Sequence, residues 1–142
     1  MTISTKGRYA LRIMLDLAIY NTGEPIRVKD IAKRQKISEK YLEQIISMLN
    51  KSGYVTSVRG ANGGYYLKRA TKEYTVGDIL RVTEGNITPV SCVDNDDCDR
   101  KEACVANIVW KKLDDAIRGV VDNITLEDMV GWYGDMSVDY VI

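Results

Sequence analysis

Histidine is missing from the 142-residue chain. Its absence removes Ser-His-Asp and Cys-His catalysis and the commonest zinc ligand. A GxxxxGK phosphate loop is missing as well. The Gly-rich run Gly60-Ala-Asn-Gly-Gly64 lies between two strand-like segments and does not open a helix, so it fails the context a nucleotide loop requires. No apolar run approaches the roughly 18 residues that cross a bilayer, so no membrane association is expected. The N-terminal MTISTKGRYALR has no apolar h-region, so no secretory signal is expected and the cytoplasm is the expected compartment. With these groups missing, the chain does not read as an enzyme.

What is present is an ordinary folded composition, 45% apolar, in a length that suits one main unit with an appendage. The net charge of zero conceals a split. Residues 1–85 hold 15 Lys/Arg against 8 Asp/Glu, and residues 86–142 hold 5 against 12. A basic first part suits a polyanion, because neutralised phosphates release counterions. The acidic second part suits dimerisation, sensing or a protein partner. The alternative is two ordinary solvated faces of opposite sign.

The most informative stretch is Ser38 to Lys68, SEKYLEQIISMLNKSGYVTSVRGANGGYYLK. Ser38 is an N-cap residue whose hydroxyl can accept an otherwise unpaired first-turn amide. Leu42, Ile45, Ile46 and Leu49 recur at helical spacing, while Glu39, Lys40, Glu43, Gln44 and Ser47 occupy the other face. Gly53 stops the helix. YVTSVR and Tyr65-Tyr66-Leu67 read as two strands, with Asn62-Gly63 supplying the positive φ of a tight turn. A polar-faced helix followed by a hairpin with Arg59 before its tip is the layout of a winged helix. An ordinary core helix followed by a surface hairpin fits the same stretch.

The flanking segments favour the winged helix. A first helix follows Lys6-Gly7-Arg8, with Tyr9, Ala10, Ile13, Met14, Leu17 and Ala18 on its apolar side, and ends near Asn21-Thr-Gly23. Val28 to Lys36 is a short second helix, with Val28, Ile31 and Ala32 inward and Lys29, Lys33 and Arg34 outward. Helix, short helix, capped third helix and hairpin is the helix-turn-helix order with a wing. Thr75 caps the next helix, VGDILRVTEG, expected to pack on the first. A loop from Asn86 to about Glu102 contains Pro89 and the acidic Asp94-Asn-Asp-Asp97. From Ala103 to Ile124 runs a long amphipathic pattern, Val105, Ile108, Val109, Leu113, Ile117, Val120, Val121 and Ile124, with Trp110 adding apolar surface. This is more than a small winged domain can cover, so the segment is expected to be a dimer helix. Thr125 caps a short last helix, LEDMVGWY, and GDMSVDYVI is expected to be loose.

The expected fold is therefore mainly α with a small β-hairpin wing. Its parts are a winged helix-turn-helix DNA-binding domain over 1–85, a cysteine-containing sensor loop over 86–104, the dimerisation helix and final short helix over 105–133, and a flexible tail over 134–142.

Cys92, Cys98 and Cys104 form C-x5-C-x5-C. An odd count disfavours a disulfide framework. The spacing is not that of a zinc ribbon. Three soft thiolates this close suit a metal or an iron–sulfur cluster, which needs about four ligands. Thiol redox sensing, and cysteines with no special role, remain the other two readings.

Taken together, ISTKGRYALRIMLDLA, ISEKYLEQIIS, SVRGANGGYYL, VGDILRVTEG, the three-cysteine loop and NITLEDMV resemble the IscR/NsrR/CymR family of bacterial winged-helix regulators over nearly the whole chain. The cysteine loop brings the resemblance nearest the iron–sulfur, IscR-like branch. The resemblance implies a homodimeric transcriptional regulator on a semi-palindromic double-stranded DNA operator. It implies that Ser38, Lys40, Tyr41, Glu43 and Gln44 face bases and phosphates, and that Arg59 and the Asn62-Gly63 turn serve the wing. Gln44 could pair with an adenine, and Arg59 could read a guanine or lie in a narrow minor groove.

The resemblance further implies an iron–sulfur cluster, 2Fe-2S or 4Fe-4S, on Cys92, Cys98 and Cys104. The fourth ligand does not carry over. The iron–sulfur biogenesis branch has a histidine three residues after the last cysteine, where this chain has Asn107; the nitric-oxide-sensing branch uses an acidic residue near the N-terminus, where this chain has Arg8. Asn107 through its amide oxygen, Asp97, Glu102 or a small external thiol are the candidates. Two alternatives stand beside this expectation. One is a nitric-oxide-responsive cluster repressor. The other is a cluster-free repressor of cysteine metabolism controlled through a complex with cysteine synthase, whose docking tail Ile142 would resemble.

Overall fold

The computed structural model describes residues 2–93, 100 and 102–139. Helix α1 (Thr5–Ile19) is capped by Ser4, whose hydroxyl accepts the Gly7 N–H at 3.1 Å. It buries Ala10, Ile13, Met14 and Leu17. Helix α2 (Val28–Gln35) buries Ile31 and Ala32. Helix α3 (Glu39–Lys51) is capped as expected, with the Ser38 hydroxyl accepting the Tyr41 N–H at 3.2 Å. Leu42, Ile45, Ile46 and Leu49 are all fully buried, and each such side chain stabilises by about 1.5–3 kcal/mol. The apolar stripes of the three helices meet in one core, closed by Tyr74, Ile79 and Leu126 from later in the chain.

Gly53, at φ +77°, ends α3 and turns the chain into β1 (Val55–Val58), which pairs antiparallel with β2 (Gly64–Leu67). The turn differs from the expectation for Asn62-Gly63. Neither residue has a positive φ; Gly60 does, at +110°. Pairing ends at Val58 opposite Gly64, so the connection is a longer loop, closed by the Gly63 N–H on the Gly60 carbonyl at 3.0 Å. Gly63 and Gly64 are required for space instead. A Cβ on Gly63 would collide with the Val58 carbonyl oxygen, and one on Gly64 with that of Ile26. Ile26 adds a third edge to the hairpin: it exchanges two 2.8 Å backbone bonds with Tyr65.

Helix α4 (Val76–Glu84) packs on α1, as expected. The Glu84 carboxylate accepts from the Ser4 N–H at 3.0 Å and from the Ser4 hydroxyl. Thr75 and Asp78 form a reciprocal capping box at 3.0 and 3.1 Å, and Thr125 and Asp128 form another at 3.1 and 2.9 Å. The two helix starts lie side by side, tied by Val76 N–H to the Ile124 carbonyl and Leu126 N–H to the Tyr74 carbonyl, each 2.9 Å.

Helix α5 spans Ala106–Val121, shorter at both ends than the amphipathic pattern. At its start, Cys104 and Val105 lie in a turn whose carbonyls accept from Asn107 and Ile108 at 3.1 Å. At its end, Asp122 is the C-cap and the Ile124 carbonyl is taken by Val76. Its apolar residues divide between two faces. Ile117 and Val121 join Ile124 and Met129 against Val76, Leu80 and Ile87, Trp110 is half-buried, and Ile108, Val109, Leu113 and Val120 are exposed. Helix α6 spans Leu126–Asp139, which corrects the loose tail expected from residue 134. Nothing crowds Gly131 or Gly134, no proline follows, and the helix runs on. Tyr140, Val141 and Ile142 lie outside the described residues. Among the described residues, no helix is long and apolar enough to cross a membrane.

One ion pair inside this core was not legible in the sequence. Asp16 is fully buried, and Arg34 grips both its oxygens at 3.0 and 2.7 Å while the Gln35 amide donates at 2.8 Å. Arg34, exposed as expected, reaches back to α1 from the surface, and its guanidinium also lies 4.0 Å over the Tyr20 ring. The carboxylate holds the Arg34 pKa above its ordinary value.

Candidate nucleic-acid interface and cysteine loop

The core side of α3 is fully committed to packing, so its opposite side is the surface of the helix-turn-helix. Ser38, Lys40, Glu43 and Gln44 are exposed there, and Tyr41 is half-buried. Tyr41 meets Tyr9 edge-to-face at 5.7 Å. The Arg12 guanidinium lies 5.1 Å from the Tyr9 ring, donates to the Gln35 side-chain oxygen at 3.1 Å, and donates to the Gln35 carbonyl at the end of α2. These contacts hold α1, α2 and α3 in one relative orientation. Arg59 and Asn62 are exposed on the wing loop, and Gly63 is half-buried beneath it. The Arg27 guanidinium donates from one nitrogen to the Ala61 carbonyl at 3.1 Å and to Asn62 Oδ1 at 3.4 Å. Arg12 and Arg27 escaped the sequence reading because their partners lie 23 and about 35 positions away. No periodicity signals such a pairing.

The cysteine loop is described only in part. Cys92 lies in a short 3-10 turn, Ser91–Val93, that packs against α5. Cys92 and Cys104 are both half-buried free thiols. Cys98 and Asp97 lie outside the described residues. Among the described residues, no three Cys, Asp or Glu side chains converge. Glu102 is exposed. Asn107, in the first turn of α5, is 5% exposed, and its Oδ1 has no hydrogen-bond partner among the described residues. Over nine-tenths of buried polar groups find a partner, so this oxygen is exceptional. The other buried polar residue of α5, Asp114, is paired with Arg118 at 2.8 Å.

Val105, just before α5, is 77% exposed; the outer face of α5 exposes Ile108, Val109, Leu113 and Val120, and α6 exposes Trp132 and Met136. A stripe of exposed apolar side chains along one helix fits a contact surface.

The Rrf2 family, described as "Iron-dependent Transcriptional regulator", matches residues 3–131. The chain belongs to the Rrf2 family. CymR of Bacillus subtilis is 42% identical over 132 residues, covering 93% of this chain and 91% of CymR. The solved structure of that protein, the global cysteine regulator, matches with a TM-score of 0.79 over 93% of this chain and 98% of its own. IscR of Pectobacterium carotovorum is 38% identical over 130 residues, 92% of this chain and 79% of that protein. The structure of T. potens IscR is 44% identical, with a TM-score of 0.74 over 92% of this chain and 87% of its own. This Rrf2-family chain is thus a DNA-binding transcriptional regulator with a winged helix-turn-helix fold, and not an enzyme. Similarity to the CymR and IscR relatives is comparable, so the family is assigned and the branch is not.

Proposed function

We propose that this regulator acts as a homodimer on a semi-palindromic operator, with its DNA affinity set by an iron–sulfur cluster held by Cys92, Cys98 and Cys104, and Asn107 at the fourth position. The observation that carries this reading is the unpartnered, buried Oδ1 of Asn107. It lies one turn beyond Cys104, on the helix against which the Cys92 turn packs. An unpaired buried acceptor costs about 1–3 kcal/mol, a cost a metal ligand recovers when metal is bound. Thiolates from the cysteines fit iron–sulfur chemistry, and the family description as iron-dependent supports it. When bound, the group would supply a centre sensitive to iron supply, oxygen or nitric oxide.

On the DNA side, Ser38, Lys40, Tyr41, Glu43 and Gln44 are assigned to the major groove, and Arg59, Asn62 and Gly63 to the wing contact. The outer face of α5 with α6 is assigned to the dimer. The chain's packing supports coupling between the two ends. The start of α5 bears the cysteine turn, its far end is joined to α4, α4 packs on α1, and Tyr9 of α1 meets Tyr41 of α3. A ligand that favours one arrangement of α5 then shifts the spacing of the two reading helices.

The 42% identity to CymR favours a second reading, a cluster-free repressor of cysteine metabolism that docks cysteine synthase through Ile142. Iron and sulfide analysis with an absorbance spectrum, on protein purified without air, separates the two. Stoichiometric iron and sulfide with visible charge-transfer bands are expected. A colourless, iron-free protein that binds cysteine synthase and loses that binding without Ile142 establishes the second reading.

A further inference from the structure

Arg27 stands at the N-cap of α2, with extended backbone angles of −72° and 141°, and its side chain makes no capping bond to its own helix. It crosses to the wing tip instead, where one guanidinium nitrogen serves the Ala61 carbonyl and Asn62 Oδ1. The residue before it, Ile26, is bonded to Tyr65 in both directions. Ile26 also approaches so closely that Gly64 has no room for a Cβ. The wing is therefore fastened to the start of α2 at two points, one through backbone at Tyr65, beside the loop end of β2, and one at the loop itself through Arg27. Within the tip itself the restraint is slight: Gly63 N–H on the Gly60 carbonyl, around a glycine at φ +110°. Helix α2 is fixed in the core by Ile31 and Ala32, so it is the rigid member of the pair.

We propose that Arg27 is a positioning residue for DNA recognition: it holds the wing tip against α2 and so sets where Arg59 and Asn62 meet the duplex, without reading a base itself. This rests on the reading that the wing touches DNA. Base discrimination next to the α3 contact then depends on Arg27, while discrimination within the α3 contact does not. A lysine substitutes poorly, because an ammonium on a flexible stem lacks the planar NH2 group whose two hydrogens are aimed at the two acceptors in fixed directions. A residue that merely neutralised a phosphate would be replaced by lysine with little loss.

The test starts from duplexes selected out of a randomised library by the wild-type dimer. Binding of wild type, Arg27→Ala, Arg27→Lys, Arg59→Ala and Gln44→Ala is measured on the selected duplex and on each of its single-base variants, with the salt dependence of each. The positions where Arg59→Ala loses discrimination are the wing positions, and those where Gln44→Ala does are the helix positions. Arg27→Ala and Arg27→Lys are both expected to lose about tenfold discrimination at the wing positions. They should keep the wild-type profile at the helix positions, and Arg27→Lys should keep the wild-type salt slope. If Arg27→Lys restores the full base profile while Arg27→Ala lowers affinity evenly across sequences and reduces the salt slope by about one, Arg27 is a phosphate contact and the proposal is overturned. If both Arg27 variants keep the wing profile, it is overturned as well. If Arg59→Ala changes no position, the wing does not read DNA, and that failure belongs to the underlying assignment.

Discussion

Arg81 holds Asp122 through two parallel bonds, Nη1 to Oδ1 at 2.7 Å and Nη2 to Oδ2 at 2.9 Å. The pair joins α4 to the C-terminal end of α5, beside Gly77, where a Cβ would collide with the Asp122 carboxylate and lie 2.8 Å from Arg81 Nη1. It is thus the polar counterpart of the apolar seam made by Leu80, Ile117 and Val121.

This pair has a definite pH signature. The hydrogen bonds from Arg81 hold the Asp122 carboxyl below its ordinary pKa of 3.8. A carboxyl depressed by folding contributes stability above its unfolded value, and that contribution is lost as pH falls through the folded one. Both side chains are about one-third exposed, so solvent screening limits the pair to about 1 kcal/mol. Asp122→Asn should lower the unfolding midpoint by about 3 °C at pH 7. The difference should vanish once acid has protonated the wild-type carboxyl. Thermal melts of both proteins from pH 7 down to acid check it; a difference that persists in acid assigns the loss to packing.

The wing offers a contrast between glycine for conformation and glycine for space. Gly64→Ala would place a Cβ against the Ile26 carbonyl oxygen and 3.0 Å from the Arg27 nitrogen, both backbone atoms that cannot swing away. The Ile26–Tyr65 bridge must open, and losing its two bonds costs about 2 kcal/mol. Gly60→Ala should cost about 1 kcal/mol or more through its φ of +110°. Asn62→Ala, at a residue with negative φ, should leave stability within about 0.5 kcal/mol. Urea titration of the three variants ranks them, and amide exchange at Tyr65 should rise in Gly64→Ala alone.

These wing residues also mark where sequence reading stops. The helix order, the Ser38 and Thr75 caps and the buried faces of α1 and α3 were legible, because cap chemistry and helical periodicity are local signals. The loop was misread because Asn62-Gly63 is the commonest tight-turn pair, yet the register between Val58 and Gly64 leaves a longer connection in which Gly60 takes the special conformation. The extent of α5 was overstated because Val105 and Ile124 continue its apolar spacing while their backbones serve a turn and a bridge. Asp16 with Arg34, and Arg27 with the wing tip, are long-range polar pairings that no window of sequence contains. At the candidate site, the resemblance to the iron–sulfur branch named Asn107 as a fourth-ligand candidate; its burial and its unpaired oxygen could come only from packing.

The outer face of α5 carries a prediction about assembly. Leu113 is exposed in line with Ile108 and Val109. A central apolar anchor in a dimer contact contributes about 2 kcal/mol or more. On the proposed dimer, Leu113→Glu should therefore raise the dissociation constant by about 30-fold or more, with little change in helix content, and should weaken binding to a two-half-site duplex more than to a single half-site. Sedimentation equilibrium at micromolar concentration reads the difference, and an unchanged dimer in Leu113→Glu removes this face from the assembly.

Asn107 yields a prediction in which two measurements move in opposite directions. In the metal-free protein its Oδ1 is buried without a partner, so replacing it by an apolar side chain of similar volume removes an unpaid desolvation cost. Asn107→Leu should raise the metal-free unfolding free energy by about 1 kcal/mol. In the iron-loaded protein, on the proposed ligation, the same change removes a ligand. Iron should then leave at least about tenfold faster under a chelator, as expected for the loss of about 1.4 kcal/mol or more of ligand stabilisation, and the visible spectrum should change. Asn107→His, which restores the residue type that the iron–sulfur biogenesis branch has at this position, should slow iron loss relative to wild type. A structural role for Asn107 would move both proteins the same way. If Asn107→Leu stabilises the metal-free chain and leaves the spectrum and the rate of iron loss untouched, the fourth position belongs to another group.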